Sequence, residues 1–165
     1  MRRNIVRAIC FAALCLALPA AAPAQGHRAC SNAGLAGAWG YTETGTVIHP
    51  TAGAVSAAAV GIYTFDHAGT FSGTQYSSTG GMINQDTKLG TYTVDADCTA
   101  TLRLSVFNQS GILLRTSVWE IVLDENATEI RGIMTSLLVG PLPGIPMPPI
   151  LTMNAKKLLP GGRGK

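Results

Sequence analysis

Few side chains of this chain could do acid–base or nucleophilic chemistry, and they lie far apart. His49 stands beside Pro50 in a predicted loop, and His67 stands at the tip of a predicted turn. Neither has a carboxylate at a spacing that would orient it as a general base. We therefore predict surface histidines and no catalytic set of residues, which makes an enzyme the less favoured class.

Two glutamates, Glu43 and Glu120, are further candidates for acid–base work. Each lies within an apolar-flanked strand, so either could point into a lumen, where burial would raise its pKa and let it act as an acid. An outward-facing partner in a salt bridge is the simpler interpretation, and we favour it for both residues.

The amino terminus of the processed chain offers one hypothetical metal site. Cleavage after Ala24 would leave Gln25, Gly26 and His27 as the first residues. A free amine, two deprotonated amides and the His27 imidazole can hold copper(II) in a square plane. An amino-terminal Gln readily cyclises, however, and cyclisation would block that amine. Copper binding at His27 is therefore a hypothesis, and cyclisation of Gln25 argues against it.

Residues 1–24 have the pattern of a secretory signal peptide. Arg2, Arg3 and Arg7 precede an apolar run that ends in small residues at Ala24. The first two arginines also fit a loose twin-arginine signal, although general secretion is the favoured route. We predict that the mature protein is periplasmic or secreted.

Export would leave two cysteines in the mature chain, Cys30 and Cys98, because Cys10 and Cys15 lie in the signal peptide. Two cysteines in an exported chain most simply form one disulfide. No residues at zinc-ligand spacing surround either cysteine. We predict a structural disulfide between Cys30 and Cys98.

Charge and length exclude several classes of protein. Without the signal peptide's three arginines, the 12 Lys and Arg residues fall to the number of Asp and Glu residues, 9, and the net charge falls from +3 to zero. A nucleic-acid-binding protein would need a basic footprint. The length fits one domain. Prolines interrupt the uncharged stretch at 137–153, so we predict no transmembrane segment in the mature chain.

Turn-forming residues divide the mature chain into short β-branched and aromatic segments, which predicts strands and no convincing amphipathic helix. The predicted strands lie at 37–48, 54–65, 70–77, 87–95, 99–107, 112–123, 128–138 and 150–157. Such strands with short turns favour an all-β fold, a single antiparallel eight-stranded up-and-down barrel, with a β-sandwich as the alternative. The barrel domain would span 35–158, between an N-terminal arm at 25–34 and a basic flexible tail at 159–165.

Alternation of apolar and polar residues predicts which side chains face the lumen. In the fifth strand Leu102 and Leu104 share one face, and in the seventh strand Ile130, Met134 and Leu138 do so. The sixth strand is apolar on both faces. We expect the proline-rich segment at 140–149 either to cover it or to fold over the barrel mouth.

The residues Leu35-Ala36-Gly37-Ala38-Trp39 form a Leu-x-Gly-x-Trp motif at the start of the first strand. This motif resembles the opening strand of calycin barrels, which include lipocalins, avidins and small secreted metalloprotease inhibitors. The resemblance implies that Gly37 lets the chain pass closely and that Trp39 plugs one end of the barrel. The several tryptophans and polar groups with which avidins hold biotin have no counterpart here, so biotin binding is not implied.

Two later segments carry a second resemblance. FDHAGTFSG at 65–73 and GTYTVDADCT at 90–99 resemble a group of small, uncharacterised exported bacterial proteins. That group implies export and a calycin-like β-barrel but brings no established activity.

The leading functional hypothesis is an exported, non-enzymatic module that binds a small apolar molecule in or at the mouth of the barrel. Ala57, Ala58, Ala59 and Gly61 supply little side-chain volume, which leaves part of the lumen open unless larger neighbours fill it. The residues predicted to line this lumen are Tyr41, Tyr63, Phe65, Tyr92 and Trp119.

Two alternative functions remain open from the sequence. A protein-binding module, such as a secreted protease inhibitor, would use the arm at 25–34 and the apolar loop at 140–149 as contact surfaces. A barrel enzyme of the cyclase kind would act mainly through the shape of its lumen and a few polar groups.

Overall fold

Strands make up most of residues 30–158, the part of the chain that a computed structural model describes. Within it, one short helix precedes nine strands: α1 Asn32–Leu35, β1 Gly37–His49, β2 Gly53–Phe65, β3 Thr70–Thr79, β4 Met82–Val94, β5 Thr99–Phe107, β6 Leu113–Leu123, β7 Glu129–Val139, β8 Ile145–Pro146 and β9 Pro149–Lys157. The one-turn helix α1 and the two-residue strand β8 were not predicted.

The strands close on themselves. They pair antiparallel in the order β6-β5-β4-β3-β2-β1-β9-β7, and a further pairing between β6 and β7 joins the two ends of that order. Eight strands therefore form a barrel without a free edge, while β8 lies outside and pairs with β7. This closure confirms the predicted single barrel and excludes the sandwich.

The observed strand bounds agree closely with the predicted ones except at the start of β4. The pattern predicts a loose link at Gly80 and Gly81 and a strand from residue 87, whereas β4 begins at Met82. Both glycines have positive φ angles, of 58° and 88°, which favour glycine and connect β3 to β4 by a tight hairpin turn. The hairpin of β3 and β4 is therefore longer than the polar residues before position 87 indicate.

Side chains cap the turn that precedes β3 and the turns that follow β5 and β6. The Asp66 carboxylate accepts hydrogen bonds from the backbone N–H groups of Ala68 and Thr70, at 2.9 and 2.8 Å. Asn108 and Asp124 accept comparable bonds in their own turns. These capping bonds show why Asp and Asn occupy the turns.

The face of β7 that points inward changes along the strand. Met134 points into the lumen as predicted, but the prediction for Leu138 is wrong: Leu137 is buried and Leu138 is half-buried on the outer side. Met134 and Ser136 pair with adjacent residues of β6, so Thr135 between them is an extra residue, a β-bulge. One extra residue exchanges the two faces of every position beyond it.

Aromatic rings lie over inward-facing glycines of the neighbouring strand. At Gly61 an added Cβ would stand 2.8 Å from the Tyr41 hydroxyl, so this ring occupies the volume that the glycine leaves. The arrangement recurs on consecutive strands, where Tyr41 covers Gly61, Tyr63 covers Gly73 and Phe71 covers Gly90. Larger neighbours therefore fill much of the space that small residues leave in this part of the lumen.

One end of the barrel, which we call the closed end, is covered by α1. Leu35 and Trp39 are fully buried there, and the Trp39 indole N–H donates to the Leu35 carbonyl at 2.8 Å. Gly37 between them has a φ of 122°, which favours glycine. The predicted disulfide between Cys30 and Cys98, with Cα atoms 4.7 Å apart, ties the start of α1 to the turn between β4 and β5.

The opposite end, which we call the mouth, is surrounded by the turns at 50–52, 80–81 and 108–112 and by the segment at 140–148. This segment lies at the mouth: the Met147 side chain packs against the core, and its N–H donates to the Leu137 carbonyl at 3.0 Å. Val122, on the outer face of β6, remains 55% exposed. Of the two predicted placements, the proline-rich segment therefore adopts the one at the mouth.

Several predictions concern residues outside 30–158. The signal peptide at 1–24, the copper ligand His27 and the tail at 159–165 lie outside the described residues, and the arm at 25–34 is described from residue 30 onward. Within the described part of the chain, no helix is long and apolar enough to span a membrane.

Candidate functional site

The aromatic residues predicted to line the lumen all lie inside the barrel wall. Their exposed fractions are 4% or less: Tyr41, Tyr63, Phe65, Tyr92 and Trp119. The rings of Tyr41 and Tyr63 stack with centroids 4.1 Å apart, and Phe65 meets Tyr92 edge to face at 5.0 Å. These contacts fill the lumen at the aromatic level with the chain's own side chains.

The tyrosine hydroxyls connect this aromatic layer to polar groups nearer the mouth. Tyr41 donates to Gln75 Oε1 at 3.1 Å, and Tyr63 donates to Glu43 Oε1 at 3.2 Å. Burial, with the negative charge of Glu43 as a second cause, raises the pKa of Tyr41 and of Tyr63 well above the ordinary value. Both phenols therefore remain protonated and act as hydrogen-bond donors.

Lys88 on β4 and Glu43 on β1 form an ion pair inside the lumen. Lys88 Nζ lies 2.6 Å from Glu43 Oε1, and the two side chains are 2% and 8% exposed. The ammonium also donates to the Tyr63 hydroxyl at 2.8 Å and lies 4.6 Å from the centre of the Tyr41 ring. Burial lowers the pKa of Lys88, while the neighbouring Glu43 acts in the opposite direction. The two charges compensate each other, and the Tyr63 hydroxyl is hydrogen-bonded to both groups.

Asp86 is the centre of a second polar cluster. Gln75 Nε2 and Ser77 Oγ donate to Asp86 Oδ2 at 2.8 and 3.0 Å. The Arg115 guanidinium lies 3.6 Å from the same oxygen, and its side chain is 25% exposed whereas that of Asp86 is 1% exposed. Three partners thus converge on one oxygen of a buried carboxylate.

Two buried side-chain atoms have no hydrogen-bond partner among residues 30–158. They are the acceptor Asp86 Oδ1 and the donor Trp119 Nε1. Buried polar atoms in proteins are nearly always hydrogen-bonded, so such atoms require an explanation. Each is a candidate contact for a bound molecule.

The outward orientation that we favoured is wrong for Glu43 and correct for Glu120. Glu43 shares the inward face of β1 with Tyr41 and is stabilised there by Lys88. Glu120 is exposed and accepts a hydrogen bond at 2.8 Å from the Thr101 hydroxyl rather than pairing with a cation. Alternation along β1 therefore places Glu43 inside, and Lys88 on β4 compensates its charge there.

The histidines take part in local structure. His49 is the last residue of β1, rather than part of a loop, and its Nδ1 accepts from the Thr51 N–H at 3.2 Å. His67 is exposed in the turn at 66–69. Within residues 30–158, no cluster of three or more His, Cys, Asp or Glu residues is arranged to hold a metal ion.

The sequence patterns did not single out the polar residues of the lumen, which are Gln75, Ser77, Asp86, Lys88 and Arg115. A usable signal was nevertheless present. In β4 the strand period places Asp86 and Lys88 on the same face as Tyr92, which was assigned to the lumen. Following that period toward the mouth would have indicated that charged residues enter the barrel.

The mouth carries exposed apolar side chains from three separate segments. Each of the following is at least 60% exposed: Met82, Ile112, Leu142 and Ile145. Ile83 is also exposed, but alternation along β4 places it on the outer wall. The turns and the segment around the mouth contain no Asp, Glu, Lys or Arg. The turns at the closed end, in contrast, contain Asp66, Asp95, Asp97, Asp124 and Glu125. The two ends of the barrel therefore differ sharply in charge.

Surface depressions also lie on the outer wall. One of about 410 Å³ crosses β4 to β7 and is lined by outward-facing side chains such as Leu89, Thr116 and Leu138. Because outward-facing side chains line this depression, it does not reach the polar residues of the lumen. The mouth is therefore the better candidate for a binding site.

No protein-family model matches the chain, and no curated protein matches it.

Proposed function

We propose that this protein is an exported, non-enzymatic module that binds a small apolar or amphipathic molecule at the mouth of its barrel. The observation that carries the proposal is the uncharged ring of exposed apolar side chains around the mouth. Exposed apolar patches of this kind mark sites where a ligand or a partner is bound. Aromatic side chains of the chain itself already fill the deeper lumen, which favours the mouth as the binding site.

The Lys88–Glu43 pair supports a binding role rather than catalysis. Both groups are enclosed by the barrel wall, and both are engaged with each other and with Tyr63. A general acid or base has to reach the reacting atoms of a substrate. The pair fits a structural element of the lumen.

We place the protein in the periplasm or outside the cell. The disulfide between Cys30 and Cys98 supports this location, because disulfides persist in oxidising compartments. The basic residues and apolar run of residues 1–24 supply the corresponding export signal.

Titration with a neutral, apolar fluorescent probe, N-phenyl-naphthylamine, tests binding at the mouth. We expect saturable binding with increased fluorescence. The double variant Met82→Ser/Ile112→Ser should weaken the affinity about tenfold or more, because each buried large apolar side chain contributes about 1.5–3 kcal/mol.

The matched control is Val122→Ser/Ile133→Ser, which changes two comparably exposed apolar residues on the outer wall. This variant should bind the probe as the wild type does. Equal losses in the two double variants, or no saturable binding by the wild type, would contradict the proposal.

A secreted protein partner is the second candidate, and the fixed position of the segment at 140–149 favours it. Leu142 and Ile145 are exposed on a segment whose backbone is hydrogen-bonded to β7 and β1. A rigid apolar surface suits a protein interface. In the probe titration, a mouth that serves a protein would show weak binding without saturation.

A further inference from the structure

We propose that Asp86 Oδ1 is the recognition atom for the polar end of the ligand, and that this end is an uncharged hydrogen-bond donor such as a hydroxyl or an amide N–H. This inference rests on the proposed function at the mouth. It assigns a chemical class to the molecule that binds there.

The hydrogen bonds of Asp86 are distributed unequally over its two oxygens. Gln75, Ser77 and Arg115 all approach Oδ2, while Oδ1 has no partner among the described residues. The side chain is 1% exposed, so the atom is withdrawn from bulk solvent. A buried carboxylate oxygen without a donor costs free energy, which a ligand N–H or O–H would recover.

Asp86 lies close to the mouth along its strand. Asn84, the next residue on the same face toward the mouth, is exposed. On β3 and β2, the inward-facing residues next above this level are Ser77, Ala59 and Ala57, which have small side chains, and Thr79 and Val55 follow at the rim. A narrow polar group has little side-chain volume to displace on this side of the lumen.

Arg115 is the partner of Asp86 that is held most weakly. Its guanidinium makes a single ion pair at 3.6 Å and no hydrogen bond with the described residues, and a quarter of its side chain is exposed. An arginine held this weakly can shift while Gln75 and Ser77 keep the carboxylate in place. Its unused N–H groups can then donate to the oxygen of a hydroxyl or amide.

The charge balance of the lumen favours an uncharged ligand. Glu43 pairs with Lys88, and Asp86 pairs with Arg115, so these four side chains carry no net charge. An ammonium or a carboxylate brought into this region would add an uncompensated charge to a poorly solvated space. A hydroxyl or an amide supplies the missing donor without that penalty.

Displacement of N-phenyl-naphthylamine by matched eight-carbon molecules tests the inference on the wild-type protein. We expect n-octanol, which has a donor, to bind about tenfold more tightly than methyl hexyl ketone, which has an acceptor alone. n-Octylamine and octanoate should bind more weakly than the alcohol. Equal affinities for the alcohol and the ketone, or tighter binding of either ion, would overturn the inference.

The variant Asp86→Asn changes the chemistry of the atom while keeping its shape. With Gln75 and Ser77 donating to the amide oxygen, the amide NH₂ replaces Oδ1, so we expect the ketone to bind at least as tightly as the alcohol. Glu120→Gln, a matched change of an outward carboxylate, should keep the preference for the alcohol. An unchanged preference in a folded Asp86→Asn variant would overturn the inference.

The two proposals fail in distinguishable ways. If the probe and both neutral molecules show no saturable binding, the proposed function and the inference fail together. If the alcohol and the ketone displace the probe equally well, binding at the mouth stands and the recognition by Asp86 fails. The wild-type comparison decides even if Asp86→Asn does not fold.

Discussion

A lysine inside a small β-barrel is costly unless its charge is compensated. Lys88 is 2% exposed, and it keeps its place because Glu43 and the Tyr63 hydroxyl lie 2.6 and 2.8 Å from its ammonium. Removing one partner of a buried ion pair leaves a buried charge without compensation, which is worse than removing both. The pair therefore acts as one unit that holds β4 to β1 across the lumen.

We expect Lys88→Met to lower the free energy of unfolding by about 3–5 kcal/mol, because it leaves Glu43 buried and unpaired. The double variant Glu43→Gln/Lys88→Met should recover most of that loss. Urea denaturation measures both. The control is Lys156→Met, which breaks the exposed pair with Glu129 and should cost less than about 1 kcal/mol. A Lys88→Met variant as stable as Lys156→Met would contradict this expectation.

The polar residues of the lumen show where inference from sequence ends at this scale. The aromatic lumen residues could be predicted because an apolar side chain in an alternating strand has one favourable side. The same alternation places Glu43 with Tyr41 and Lys88 with Tyr92. A charged side chain is stable inside only with a partner, however, and Lys88 and Glu43 are 45 positions apart in the chain. Glu43 was therefore assigned to the outside, and Asp86 and Lys88 were not singled out.

At the scale of elements, periodicity and turn residues located the strands well and failed where the register changes. β5 and β9 alternate without interruption, and the inward face predicted for β5 is confirmed. In β7 the bulge at Thr135 places Leu137, instead of Leu138, on the inward face. A bulge depends on the pairing of two strands, so the sequence of one strand does not reveal it.

Two turns at the closed end make the stability of the fold depend on pH in the acidic range. The Thr70 side chain and N–H hydrogen-bond to Asp66, and those of Thr99 to Asp97, which lowers the pKa of each carboxyl below its ordinary value of 3.8. A carboxyl whose pKa is lower in the folded state stabilises the fold above about pH 3.8 and loses that contribution as the pH falls through the folded-state pKa.

We therefore expect the free energy of unfolding to decrease as the pH falls below about 4. The double variant Asp66→Asn/Asp97→Asn should be less stable at neutral pH but show a shallower decrease, because two of the titrating groups are gone. Thermal unfolding across this pH range measures the slopes. An identical slope in the variant and the wild type would show that these turns do not contribute.

At the scale of the whole molecule, the barrel has two chemically different ends. The closed end carries acidic turns and the α1 cover, whereas the mouth is uncharged and apolar. The exposed apolar side chains of the mouth are the basis of the binding site that we propose there. The sequence contains both sets of turns, but closure of the barrel is what collects alternate turns at the same end.

The disulfide is the covalent link that holds α1 against the closed end. Cys30 and Cys98 are 68 positions apart, and a loop of this length should stabilise the fold by about 4 kcal/mol by restricting the unfolded chain. We expect Cys30→Ser/Cys98→Ser to lose about that amount in urea denaturation. A reductant should destabilise the wild type to the same extent and leave the double variant unchanged. If the variant unfolds at the wild-type urea concentration, the disulfide does not stabilise the barrel. The link would then have another role, such as fixing α1 over Trp39 after the barrel has closed.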